Sequence, residues 1–395
     1  MFDSLISFLI KYKAIILFYS IIILLLIIFR KKIETQAKII FLYRTKFGLK
    51  WMDKTVDRWR QWVILLGYIG VGVGFIGMGF IAYTLIKNLY DLFVTPATTP
   101  GVSLVLPGIN VPGVGILPFW HWLIAIFLIA LIHEFSHGIV ARAHKVEVKN
   151  TGVVLFGPII GAFVEPNEEK MKKEKDIVQY SIFAAGAFAN IILAFIALFI
   201  MGYIAMPLQE MMVEPTGFTF DSHVNPSLPF AQAGIAPGTL ITGINKETII
   251  KFEEFSKRLE KYHPQDQITI QTPEKQYTII LTENPSDKEK PFLGIQAIHN
   301  EFKLKSAYDY GIWKLIYNFL NTITTFLRWL FLLSLGIGLF NLLPLPIVDG
   351  GRMMQTFMHK LHGQEKGEKR YRQIGLFFLA VLLLSLFFPL IIKLF

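Results

Sequence analysis

The 395-residue chain contains no cysteine. That excludes a disulfide framework, a thiolate metal site and a thiol nucleophile, and it leaves the redox compartment unread. Charge is scarce as well. Asp, Glu, Lys and Arg make up 17% of the chain, against roughly 25% in ordinary globular proteins. Low-complexity tracts and solenoid repeats are missing too. Together these absences exclude a disordered chain, a collagen-like fibre and a simple cytosolic enzyme. What is present is apolar: 53% of residues are hydrophobic, 35 of them Phe, and they gather in long blocks. A net charge of +10 would suggest nucleic acid as the partner of a soluble protein. Among apolar blocks it marks inner loops and their membrane electrostatics instead, and no nucleic acid is expected.

Six segments are long enough to cross a hydrocarbon core of about 30 Å at 1.5 Å per residue. They cover residues 14–29, 62–86, 119–143, 177–206, part of 311–343, and 374–395. The first resembles a signal peptide, but Arg30, Lys31 and Lys32 follow it and no small-residue cleavage site is visible, so it reads as a retained span. Loop charge orients the bundle. Residues 30–60 carry ten Lys and Arg, 88–118 none, and 352–372 six. Positive loops stay inside, which puts the N-terminus outside in a multi-pass cell-membrane protein. Trp59 and Trp62, and Trp120 and Trp122, fit interfacial belts at the starts of two spans. The Gly70-x-x-x-Gly74 spacing reads as close packing within the chain.

Two insertions are not spans. Residues 151–166 are apolar around Gly157-Pro158 and read as two short strands about a turn. Residues 207 to about 300 are polar with strand-like alternation and form an outer soluble domain. The expected order is 1–111 (two spans and a basic loop), 112–206 (a first catalytic half), 207–303 (the inserted domain) and 304–395 (a second half). The fold class is a polytopic α-helical membrane protein with a short membrane-associated β element and an inserted α/β domain.

The sharpest chemical signal is His133-Glu134-Phe135-Ser136-His137. On a helix, positions i and i+4 share a face, so two imidazoles reach one zinc ion. Glu134 lies between them and can move a proton without being a ligand. The pentad alone can arise by chance. Here it sits in an apolar span, where two His and one Glu are costly without partners. Zinc needs a third protein ligand, and without Cys the candidates are His, Asp and Glu. Asp349 is the best placed. It lies in the run Asn-Leu-Leu-Pro-Leu-Pro-Ile-Val-Asp-Gly-Gly at 341–351, where Pro344 and Pro346 break the helix and two glycines free the backbone. An ordinary membrane-exit turn with an interfacial Asp is the bland alternative. Both Asp349 and His137 precede basic inner loops, so they fall at similar depth, near the cytoplasmic side.

These two motifs, HEFSH and NLLPLPIVDGG, resemble those of the site-2 proteases, the intramembrane zinc metalloproteases of peptidase family M50. The resemblance covers about 115–395. It extends to 229–245, which looks like the carboxylate-loop region of a PDZ domain, and to 292–295, which resembles its closing strand. The resemblance implies His133, His137 and Asp349 as zinc ligands and Glu134 as catalytic base. It implies Asn190, within Ala185-Gly186-Ala187-Phe188-Ala189-Asn190, as a second catalytic group that donates to the oxyanion; Ala187 stands where the family has Pro. It also implies Asn341 as a substrate-backbone ligand. The β element, with Gly161 and Phe163, would offer an edge to an unwound substrate strand.

The implied function is regulated intramembrane proteolysis of a membrane-protein substrate by its transmembrane helix, in contact with the lipid bilayer. The outer PDZ-like domain would then bind an exposed C-terminus, filter substrates by size or act as a passive cap. A non-catalytic scaffold that binds tails through the PDZ-like domain is the alternative, and an intact HExxH argues against it. A metal transporter would need polar residues along its second and sixth spans, which show almost none. Oligomeric state is not legible.

Overall fold

A computed structural model describes residues 2–36, 40–94, 105–108, 110–111, 114–156, 159–285 and 287–392. The chain forms two compact units, Met1–Met201 with Thr325–Phe395, and Gly202–Thr324. Residues 112–113, at the domain boundary expected between 111 and 112, lie outside the described residues, as do 157–158 and 393–395 of two expected segments.

The first unit opens with α1 (Phe2–Ile28), β1 (Ile33–Gln36), β2 (Ile40–Thr45) and α2 (Leu49–Val94). A short ribbon, β3 (Asn110–Val111) with β4 (Gly115–Ile116), leads to α3 (Phe119–Ala143). Then come β5 (Val148–Phe156), β6 (Ile159–Pro166), the one-turn α4 (Glu168–Met171) and α5 (Asp176–Ile200). Among the described residues, five helices are long and apolar enough to cross a membrane. They are α2, α3, the helical run Asp176–Met212 that begins as α5, and two C-terminal helices, Gly311–Phe340 and Gln364–Phe388. The apolar stretch Ile15–Ile28 is shorter. The chain is thus a helical membrane-type protein, with five such helices where the sequence suggests six.

Small residues set the helix spacing, as expected where apolar burial gives no drive between helices. In α2, a Cβ on Gly70 would touch Phe188, and one on Gly74 would crowd Met353 and Ala184. The GxxxG face therefore packs inside the chain. α2 begins thirteen residues before the expected span and breaks at Trp59, whose φ of −125° and ψ of 21° are not helical. Its first turns bury Met52 and Val56. Met52 lies against Gly138 of α3.

α3 ends in a Schellman-type stop. Val146 N–H donates to Ala141 carbonyl at 2.9 Å and Lys145 N–H to Arg142 carbonyl at 2.9 Å. Lys145 takes the left-handed position at φ 64° that glycine usually fills. This stop turns the chain directly into β5. The hairpin β5–β6 then pairs Val154 with Gly161, Gly152 with Phe163 and Thr151 with Val164.

The basic loop, for which no strands were expected, supplies two more. β2 pairs antiparallel with β5, from Ile40↔Phe156 to Thr45↔Thr151, and β1 pairs with β2. The sheet order is β1-β2-β5-β6. Arg44 stitches it across, meeting Glu34 on β1 and Glu165 on β6. That partner, with help from Asn150, holds the Glu165 carboxyl below the ordinary glutamate range against the effect of burial.

The second unit runs through α6 (Met206–Met212), β7 (Val213–His223), α7 (Pro229–Gln232), β8 (Gly243–Ile244), β9 (Glu247–Thr248) and α8 (Phe252–Leu259). It continues through β10 (Gln267–Gln271), β11 (Gln276–Ile280), β12 (Thr282–Asn284), β13 (Asp287–Phe292) and β14 (Ile295–Leu304). One sheet has the order β11-β10-β8-β9, and β7 pairs with β14 along its length. Phe218, Phe220, Phe230, Ile235 and Ile241 are wholly buried between these elements. The run 292–295, expected as a closing strand, is instead the joint between β13 and β14. Gly294 adopts φ 79° there, and a Cβ would lie 2.3 Å from Leu228.

α9 (Gly311–Phe340) begins in the second unit and ends in the first, followed by α10 (Asp349–His362) and α11 (Gln364–Ile392). Ser334 and Gly338, four residues apart on α9, pack on α5: Gly338 faces Asn190 Cβ, and Ser334 donates to the Asn190 carbonyl at 2.7 Å.

Candidate metal centre

The pentad lies in the C-terminal half of α3, where both His133 and His137 are buried. Asp349 reaches them from a different part of the chain. α9 ends at Phe340, and the loop through Leu342 and Leu345 returns so that Asp349 opens α10. Asp349 is the first residue of a 14-residue helix, not part of the ordinary exit turn that stood as the bland alternative. Two glycines make this turn possible. A Cβ on Gly350 would lie 2.3 Å from the Leu342 carbonyl oxygen, and one on Gly351 would lie 1.8 Å from that of Leu345. Gly350 N–H also donates to the Asn341 carbonyl at 2.7 Å.

Three donor atoms converge. His133 Nε2 is 3.0 Å from Asp349 Oδ2, His137 Nε2 is 3.3 Å from the same oxygen, and the two Nε2 atoms are 3.1 Å apart. A tetrahedral zinc ion with ligands at about 2.0–2.1 Å keeps its neighbouring donors about 3.3 Å apart, so this triangle matches one face of its coordination shell. His137 Nδ1–H donates to the Ile182 carbonyl at 2.6 Å, which leaves Nε2 with a lone pair. Asp349 Oδ2 is buried against these two imidazole nitrogens. Lone pairs gathered this closely repel unless a cation lies among them. Space for one is provided by Gly186, where a Cβ would sit 2.5 Å from both Nε2 atoms. Among the described residues, His133, His137 and Asp349 are the group of His, Asp and Glu side chains able to hold a metal ion.

Glu134 stands outside this triangle. Its Oε2 accepts the Val164 N–H of β6 at 3.1 Å. The group opens into a cleft of about 270 Å³ lined by His133, Glu134, His137, Val164, Asn341 and Asp349. Asn341, expected to meet substrate, therefore does line the cleft.

Three other expected residues do not. Asn190 is wholly buried behind His133, with its Nδ2 atom 3.0 Å from His133 Nδ1. Gly161 and Phe163 lie further along β6, and Phe163 covers Gly152 on the neighbouring strand. Peptide groups of successive residues in an antiparallel pair face alternately toward and away from the partner strand. Val164 N–H points to Glu134, so the peptide groups of Ala162 share its outward direction while those of Gly161 and Phe163 face β5. The outward groups thus belong to the alternate residues.

Ile182, Gly186, Val164 and Arg352 were not singled out from sequence. Two of them act through main-chain atoms and one through the absence of a side chain. Arg352 lies on the cleft wall over the Phe183 ring, its guanidinium carbon 5.8 Å from the centroid and its Nη2 atom 3.5 Å from Glu168 Oε1.

The architecture is that of a helical membrane protein with a buried two-histidine, one-carboxylate centre. The profile of peptidase family M50 matches residues 121–386, more than half of the chain, and the chain belongs to that family. An uncharacterized protein of Methanocaldococcus jannaschii is 26% identical over 87% of this chain and 84% of its own length. The probable protease eep of Enterococcus faecalis is 26% identical over 46% of this chain, and the match spans half of that relative. The PDZ domain of the SdrC-like protein from Listeria monocytogenes is 24% identical over 20% of this chain and 86% of that chain, with a TM-score of 0.18.

Proposed function

We propose that the protein is an intramembrane zinc endopeptidase that cleaves transmembrane segments of membrane proteins. The observation that carries this reading is the triangle of two imidazole nitrogens and one carboxylate oxygen beside Glu134 in an apolar bundle. A zinc ion held by His133, His137 and Asp349 would supply Lewis acidity for a scissile carbonyl and would acidify water toward a pKa of about 7.

The chain's own residues do the rest. Glu134 receives the proton of the attacking water and returns it to the leaving amine. The Val164 N–H fixes the carboxylate's position for both transfers. A substrate helix hides its peptide bonds in its own hydrogen bonds, so it must unwind before cleavage. The outward peptide groups of Ala162 on β6 can replace some of those bonds, which matters where water is scarce. Asn341, which lines the cleft, would hold substrate backbone. The PDZ-like domain expected at 207–303 would stay outside the cell and screen substrates by the bulk of their outer domains. The centre would face the cytoplasmic side.

Zinc quantification on the purified full chain, with cleavage of a transmembrane reporter, tests the reading. Glu134→Gln should retain one zinc and lose about 100-fold or more in rate. A wild-type chain without zinc, or full activity in Glu134→Gln, would overturn it.

A further inference from the structure

One face of α5 serves both histidines of the pentad. Ile182, Gly186 and Asn190 follow at four-residue intervals and so line up along the helix. α3 runs antiparallel to this row. His137 Nδ1 meets the Ile182 carbonyl at 2.6 Å, both Nε2 atoms meet the space at Gly186, and His133 Nδ1 meets the Asn190 amide at 3.0 Å. The partner of His137 is an acceptor, which leaves that ring's Nε2 free of hydrogen. The partner of His133 is an amide that can present either oxygen or nitrogen.

The two ends of an asparagine amide have nearly the same shape, and the hydrogen-bond network decides between them. With Nδ2 toward the ring, Nδ1 accepts and a neutral His133 must carry its hydrogen on Nε2, where it blocks coordination. In either orientation the end of the amide that points away from the ring is buried without a partner. With Oδ1 toward the ring, Nδ1–H donates to it and Nε2 offers its lone pair to the same point as His137 and Asp349. We infer that Asn190 is a positioning residue whose side-chain oxygen accepts the His133 Nδ1–H and thereby turns Nε2 toward the metal position.

Two further observations fit this role. Asn190 is wholly buried and off the cleft, so a substrate carbonyl does not reach it. Its backbone is pinned by the Ser334 hydroxyl at 2.7 Å, and α9 packs on its Cβ at Gly338. Outer partners of metal-bound histidines fix ring orientation in this way. The role departs from the oxyanion donor that the family resemblance implies.

The inference rests on the metallopeptidase reading and has its own test. Zinc affinity of the full chain in detergent is measured by competition with a chromophoric chelator. Asn190→Leu should bind zinc about 10–100-fold more weakly, whereas Asn190→Asp, which keeps an acceptor, should stay within about threefold of wild type. Equal affinity in Asn190→Leu, or equal weakness in both variants, would overturn the role. Nitrogen NMR of histidine-labelled, zinc-free wild type needs no variant. It should find His133 as the Nδ1–H tautomer, and an Nε2–H tautomer would refute the inference. A wild type that binds no zinc would instead defeat the metallopeptidase reading itself.

Discussion

Replacing Gly186 by Ala puts one methyl group where the proposal places an ion. The added carbon would lie 2.5 Å from His133 Nε2 and from His137 Nε2. Ordinary contact begins near 3.4 Å, so each ring nitrogen must retreat by about 0.9 Å, against a tolerance of about 0.2 Å in metal–ligand distances. The rings can retreat toward the cleft, but the donor triangle then opens. A misplacement of about 1 Å near reacting atoms costs on the order of 100-fold in rate. Zinc affinity should fall by about 100-fold or more, and reporter cleavage should fall with it. Stability of the zinc-free protein is the internal control. Alanine is favoured over glycine inside a helix by about 1 kcal/mol, which offsets the strain of moving the rings. Metal-free thermal unfolding should therefore shift little while chelator competition shows the loss. Zinc affinity within about threefold of wild type would refute the placement of the ion beside Gly186.

Val164→Pro removes the N–H that Glu134 accepts at 3.1 Å while keeping a compact apolar side chain. Proline is tolerated where a strand's N–H faces away from its partner strand, so the fold should survive. Zinc content should be unchanged and cleavage should drop by about tenfold, as a loosened general base predicts; unchanged cleavage would mean that Val164 does not hold Glu134. Acidification gives a separate check on the sheet. Glu165 is held below the ordinary glutamate range by Arg44, so its contribution is complete above that range and is lost as pH falls through the depressed value. Protease protection of 40–45 should weaken on acidification in wild type, and the Glu165→Gln protein should show that weaker protection already at neutral pH.

The centre was unusually legible because its three members are side chains carried by two short motifs. HEFSH declares a helical pair, and the run ending in Asp349-Gly350-Gly351 declares a turned-back carboxylate. Its supports were not legible for a physical reason. The Ile182 carbonyl and the Val164 N–H belong to the main chain, which every residue possesses, and Gly186 acts by leaving space. The strands of the basic loop were missed for another reason. Ile40-Phe41-Leu42-Tyr43 is short, and its partner begins more than a hundred residues later, so no local period announces the pairing. α3 matched the expected bounds because apolar residues fill its length, whereas α2 was underestimated because its first turns carry Lys50, Asp53, Lys54 and Asp57 on a helix that buries Met52 and Val56.

The pairing of β2 with β5 has a bearing on how the enzyme would be trimmed. A chain shortened to its last 350 residues or so keeps the triangle but strips one whole flank of the hairpin, baring a row of amide and carbonyl groups along β5. The remaining sheet would then have two open edges, β5 and β6, only the second of them beside Glu134. The amino-terminal hairpin, remote from the chemistry in sequence, is thus what closes that edge of β5.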